Sequence, residues 1–182
     1  PPLGTAVARS PNPRKEPLEL LDRMSEAALA LKICGLTDRS QACSIAAMGV
    51  QAIGVIGVDK TPRFAAEPLR RAIFAELKKR HPDVERVWVV ADPSDQAIQS
   101  ALQGDGAPTI VQLHGSETPE RCLQLKQQHP SVRWWKALRL RTEQDLSELS
   151  SFESHSDALL LDAWSPDQLG GTGHRLDPSW FT

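Results

Sequence analysis

Leu31-Lys32-Ile33-Cys34-Gly35-Leu36-Thr37-Asp38 is the stretch on which the fold turns. A short apolar run ends in a cysteine, glycine turns the chain, and Thr37 or Asp38 can cap a following helix. Gln41 stands at capping-box spacing from Asp38. A strand that hands over directly to a helix is the unit of α/β proteins, whose chemistry gathers at strand C-termini. Cys34 occupies such a place.

Outward from this stretch the pattern alternates. Strand Ala30–Cys34 leads to helix Asp38–Met48, strand Ala52–Gly57, helix Ala66–His81, strand Arg86–Ala91 and helix Ser94–Leu102. Strand Thr109–Leu113, helix Thr118–Gln128, strand Val132–Leu138, helix Thr142–Phe152 and strand Ala158–Asp162 continue it. Strands such as Val87-Trp88-Val89-Val90 and Leu159-Leu160-Leu161 are unbroken apolar runs, as parallel strands covered on both faces require. Strict alternation specifies a parallel α/β fold. Strand starts fall about 25 residues apart, close to the repeat of a TIM-type barrel of about 250 residues.

Six strands do not close an eight-stranded barrel, so the alternatives are a complete open sheet or the first three quarters of a barrel. The chain starts at Pro1 without methionine and stops at Thr182 soon after a strand and a glycine loop, which favours the barrel. The expected organisation is an N-terminal arm and short helix over 1–29, then an incomplete TIM-type (β/α) barrel over 30–182. About six parallel strands are present and the last two βα units are missing. The arm is proline-rich and aperiodic to about Lys15, and Leu20, Leu21, Met24 and Ala28 recur at helical spacing after Pro17.

With 182 residues and 40% hydrophobic content, the chain can bury one good core. A formal net charge of −2 with interspersed signs offers no basic stripe for nucleic acid. No run approaches the roughly 20 apolar residues that span a bilayer, and no signal-peptide centre is present. A cytoplasmic protein with neither nucleic-acid nor membrane partner is expected. Three cysteines, Cys34, Cys43 and Cys122, lack C-x-x-C spacing, so reduced thiols fit better than a disulfide framework or a zinc ribbon. Cys43 and Cys122 fall in helical patterns and read as small buried hydrophobes.

In a parallel sheet Cys34, Arg63, His114 and Asp162 all follow strand C-termini and face one mouth. The loop Gly170-Gly171-Thr172-Gly173 after the sixth strand can bring its backbone close to a ligand. Taken singly, each has a plainer reading. Cys34 could be a packed strand residue, Asp162 a turn residue, His114 a partner of a backbone carbonyl and Arg63 a solvated cation. A metal site from Cys34, His114 and Asp162 is disfavoured by their scatter over three strands without a second histidine. Of the adjacent Trp134 and Trp135, one should face the barrel interior and the other the helices. Exposure is expected for Lys136, near the end of that strand.

Together these strings resemble the phosphoribosylanthranilate isomerase family of tryptophan biosynthesis. The resemblance rests on Lys32-Ile33-Cys34-Gly35, Pro62-Arg63, Gln112-Leu113-His114-Gly115, the strand ending at Asp162, and Gly170-Gly171-Thr172-Gly173, all in order. It implies a cofactor-free intramolecular oxidoreductase, an aldose-ketose isomerase acting on a small phosphorylated substrate. The reaction is the Amadori rearrangement of N-(5-phosphoribosyl)anthranilate to 1-(2-carboxyphenylamino)-1-deoxyribulose 5-phosphate. Carried onto matching positions, Asp162 is the general acid at the ring oxygen and Cys34 the general base at C2. Arg63, His114, Gly170, Gly171 and Gly173 would bind substrate.

The roles suit the residues. A free thiol ionises near pH 8.5, so a cysteine base needs a site favouring its anion, and a carboxyl acid needs the opposite. Gly57-Val58-Asp59-Lys60-Thr61 departs from the aromatic run and serine often seen before the arginine. Phosphate sites of such barrels usually follow the seventh and eighth strands, and are expected beyond Thr182. The competing function is a non-catalytic barrel remnant serving as an interaction or scaffold module, with strand edges left uncovered.

Overall fold

Ala52–Ile56 (β2) and Ile110–Leu113 (β4) are buried along their whole length, and Glu85–Val90 (β3) is buried from Arg86 onward. Such strands need cover on both faces, and the computed structural model supplies it. It describes residues 30–59, 61–164 and 176–181. The expected arm and helix over 1–29, and Gly170, Gly171 and Gly173, lie outside the described residues.

Lys32–Cys34 (β1), Arg133–Leu140 (β5) and Ala158–Ala163 (β6) complete a six-stranded sheet in the order β1-β2-β3-β4-β5-β6. Every neighbouring pair is parallel. The crossovers carry Arg39–Ala46 (α1), Glu67–Arg80 (α2), Asp95–Leu102 (α3), Pro119–Gln128 (α4) and Leu149–Glu153 (α5). Consecutive parallel strands joined by helices form the partial TIM-type barrel expected from the alternation.

Strand alternation divides the apolar residues into two groups. Ile53, Val55, Trp88, Val111, Leu113 and Trp134 pack with the helices. Ala52, Ile56, Val87, Val89 and Ile110 form an inner cluster, against which Cys34 and Trp135 lie. The tryptophan pair therefore splits between the two faces. Helix starts follow their caps: the side chains of Asp38, Ser94 and Thr118 accept backbone N–H bonds from Gln41, Ala97 and Arg121. Pro68 and Pro119 occupy first-turn positions, where no N–H is missed.

Two expectations need correction. The segment Thr142–Phe152 is not one α-helix but a 3-10 turn, Glu143–Glu148, running into α5. The Asp145 carboxylate accepts the N–H groups of Arg141 and Thr142, at 2.6 and 3.0 Å, which tightens the first turn. Leu146, Leu149 and Phe152 recur every third residue, the 3-10 repeat, and pack on the core. Lys136, expected to be exposed, is buried. Its Nζ lies 2.7 Å from Glu117 Oε2, with both side chains 3% exposed or less, and donates to the Gly115 carbonyl at 2.8 Å.

Candidate active site

Cys34 ends β1 with its side chain on the inner face, since Ile33 packs on the helix side. Its register partner on β2 is Gly54, and the missing side chain there makes the room the thiol uses. A methyl at Gly54 would stand 2.6 Å from Cys34 Sγ and 3.1 Å from Lys32 Cε. Gly35, at φ +84°, then turns the chain and donates its N–H to the Gly54 carbonyl at 2.8 Å. Arg63 fills the space over Gly35, its Cδ 2.7 Å from where a methyl would be. Its Nη1 donates to the Cys34 carbonyl at 3.2 Å.

The inner face opens into a cavity of about 270 Å³ lined by Cys34, Arg63, His114 and Asp162, together with Lys32 and Gln112. All four described sequence-predicted site residues thus meet at one place, contributed by β1, the loop after β2, the end of β4, and β6. Cys34 and Asp162 come from the two outer strands of the sheet. His114 is buried, its backbone N–H bound to Val90 O at 2.7 Å. Its Nε2 lies 3.3 Å from Asp162 Oδ2, yet the alignment does not make a hydrogen bond and this nitrogen is otherwise unpaired.

Sequence reasoning missed Lys32 and Gln112 as site residues. The signal was alternation: Lys32 shares a strand face with Cys34, and Gln112 with His114. The Lys32 ammonium donates to Gln112 Oε1 and sits 6.0 Å from the Trp135 ring centroid. Burial pulls Lys32 below the usual lysine range, and its interaction with Cys34 pulls it partly back. Cys122, by contrast, is a core thiol that burial pushes up to about 11. A thiol, a carboxyl beside an imidazole, and two cations around one small cavity suit proton transfers on an anionic molecule.

The family model described as N-(5'phosphoribosyl)anthranilate (PRA) isomerase matches residues 31–181. An N-(5'-phosphoribosyl)anthranilate isomerase of Synechococcus sp. (strain JA-3-3Ab) is 44% identical over 149 residues, 82% of this chain and 64% of that protein. One from Nostoc punctiforme is 42% identical over 149 residues, 82% of this chain and 69% of that protein. The crystal structure of the Thermotoga maritima enzyme aligns with a TM-score of 0.69 at 26% identity, covering 79% of this chain and 65% of that one. A phosphoribosyl anthranilate isomerase in complex with reduced 1-(o-carboxyphenylamino)-1-deoxyribulose 5-phosphate aligns with a TM-score of 0.66 at 26% identity, covering 76% of this chain and 66% of that one. The chain therefore spans 64% of the length of the first of these relatives. On the matched span, the shared fold and the identity to these relatives, it belongs to the N-(5'-phosphoribosyl)anthranilate isomerase family.

Proposed function

We propose that this chain supplies the acid and base for the Amadori rearrangement of N-(5'-phosphoribosyl)anthranilate, acting in the cytoplasm without a cofactor. The observation that carries this reading is the meeting of Cys34, Asp162 and Arg63 around one cavity. Asp162 gives its proton to the furanose ring oxygen as the C1–O bond breaks and the amine nitrogen forms an imine. The Cys34 thiolate then takes the C2 proton, the C1–C2 double bond forms, and the imine electrons return to nitrogen. The enolic amine that results settles as the ketone, 1-(2-carboxyphenylamino)-1-deoxyribulose 5-phosphate.

Arg63 faces this chemistry with a planar fork suited to the anthranilate carboxylate. Only one of its donors is engaged with Cys34 O in the described contacts. His114, whose Nε2 lies 3.3 Å from Asp162 Oδ2 without a hydrogen-bond partner, offers that nitrogen to the substrate. The glycines Gly170, Gly171 and Gly173 serve as a close-approach backbone for the substrate.

Two variants test the arrangement. Asp162→Asn lowers turnover of N-(5'-phosphoribosyl)anthranilate by about 10²- to 10⁴-fold, the usual contribution of a positioned acid, measured by chromatography of the product. Failure of the unaltered protein to convert this substrate would return the scaffold reading. Gly54→Ala drives a methyl into the space of Cys34 Sγ. A displacement of about 1 Å costs about a hundredfold in turnover, whereas the substrate KM moves little because Arg63 is untouched. A normal rate in this variant would show that Cys34 need not occupy its observed place.

A further inference from the structure

Lys32 is a charge that the acid–base reading above does not use. It stands two residues before Cys34 on the same inner strand face, and lines the cavity with it. The notch over Gly54 holds both the sulfur and the Lys32 stem, since one added methyl would crowd both. Gln112 Oε1 accepts from the ammonium, and the Trp135 ring lies beside it at 6.0 Å. A lysine carried inward on a strand is seldom tolerated without a partner. Here its neutral partners are an amide and a ring, and the ionisable group sharing its notch is the thiol.

We propose that Lys32 is a positioning residue for Cys34: its ammonium, anchored by Gln112, holds the sulfur inward and in the anionic state needed for proton abstraction at C2. The inference rests on the isomerase reading, and it explains how a cysteine can serve as a base there. Arg63 is a less suitable partner, because it lies at the exposed rim and gives its hydrogen bond to the Cys34 carbonyl rather than the sulfur. Among the described residues, the charged and titratable groups that line the cavity beside Cys34 are Lys32 on β1, Arg63 after β2, His114 after β4 and Asp162 on β6. From β3 and β5 the lining is Val89 and Ala137, neither of which titrates. Burial pulls the Lys32 ammonium down while Cys34 pulls it up, the direction in which a neighbouring anion acts on a cation.

Alkylation of Cys34 by iodoacetamide, followed by peptide mass in the purified protein as a function of pH, reads the thiolate without turnover. Cys43 and Cys122 are buried and are told apart by mass. Lys32→Met slows Cys34 alkylation at pH 7 by at least about fivefold and moves the profile to higher pH, whereas Lys32→Arg restores most of it. Gln112→Glu leaves Lys32 in place but sets a carboxylate on its ammonium, and moves the profile the same way. An unchanged profile in folded Lys32→Met overturns the inference. If that variant does not fold, an unchanged profile in Gln112→Glu overturns it instead. A Lys32-dependent profile in a protein that lacks isomerase activity would defeat the functional reading and leave standing only the pairing of Lys32 with the Cys34 thiol.

Discussion

Cys34→Ser lowers turnover of N-(5'-phosphoribosyl)anthranilate by about a thousandfold while leaving the protein folded. A positioned base contributes about 10²- to 10⁴-fold, and a serine hydroxyl at neutral pH offers almost none of the anion that a thiol can. The substitution is otherwise mild. Cys34 is half-buried at the cavity wall, the hydroxyl is smaller than the thiol, and neither the backbone bond of Gly35 to Gly54 nor the Arg63 side-chain bond to Cys34 O involves the sulfur. The melting temperature therefore stays within a few degrees, and KM changes little. Combining Cys34→Ser with Asp162→Asn costs about as much as the worse single change, because residues that work as a unit do not contribute additively. Near-normal turnover in Cys34→Ser would remove it from the mechanism.

Glu117→Leu destabilises the fold by about 3–5 kcal/mol, the cost of leaving one member of a buried ion pair without its partner. Glu117 and Lys136 are 3% and 2% exposed with 2.7 Å between Oε2 and Nζ. The carboxylate does more than pair with lysine. It accepts the backbone N–H of Asp92 at 2.7 Å and of Gly115 at 3.0 Å, so it joins the turn after β3 to the turn after β4. Asp92 itself has φ 47°, a conformation a non-glycine residue holds only when its surroundings fix it. Leucine leaves both N–H groups unmatched and the ammonium with the Gly115 carbonyl in place of a counter-charge.

Lys136→Met costs less, since the carboxylate keeps its two backbone donors. Urea unfolding measures both, and a loss below about 1 kcal/mol for Glu117→Leu would show the pair to be solvated. Gly115 follows His114 directly, so this network also fixes one wall of the cavity.

The strand and helix series was legible because buried parallel strands are written as unbroken apolar runs and helices announce their caps. Val87 to Val90 and Asp38 with Gln41 are cases where local chemistry and tertiary need agree. Helix character over Thr142–Phe152 was misjudged because an amphipathic stretch of that length does not reveal whether Asp145 will bind Arg141 and Thr142 and tighten the turn. Lys136 was misjudged because its partner Glu117 is 19 residues away, and burial of a charge is decided by such a partner.

Cys34, Arg63, His114 and Asp162 were legible as one mouth because parallel topology puts every strand C-terminus on the same side. The place of Lys32 and Gln112 in that mouth required the facing of two strands to be combined with their stagger. Propensity does not encode stagger.

The most direct test is a crystal structure of the protein with reduced 1-(o-carboxyphenylamino)-1-deoxyribulose 5-phosphate bound. The predicted complex has the anthranilate carboxylate on the Arg63 guanidinium, C2 about 3.5 Å from Cys34 Sγ, and the Asp162 carboxyl against the oxygen that closes the furanose ring. A ligand seated elsewhere, or one in this cavity with C2 out of reach of Cys34, would contradict the assignment of base and acid.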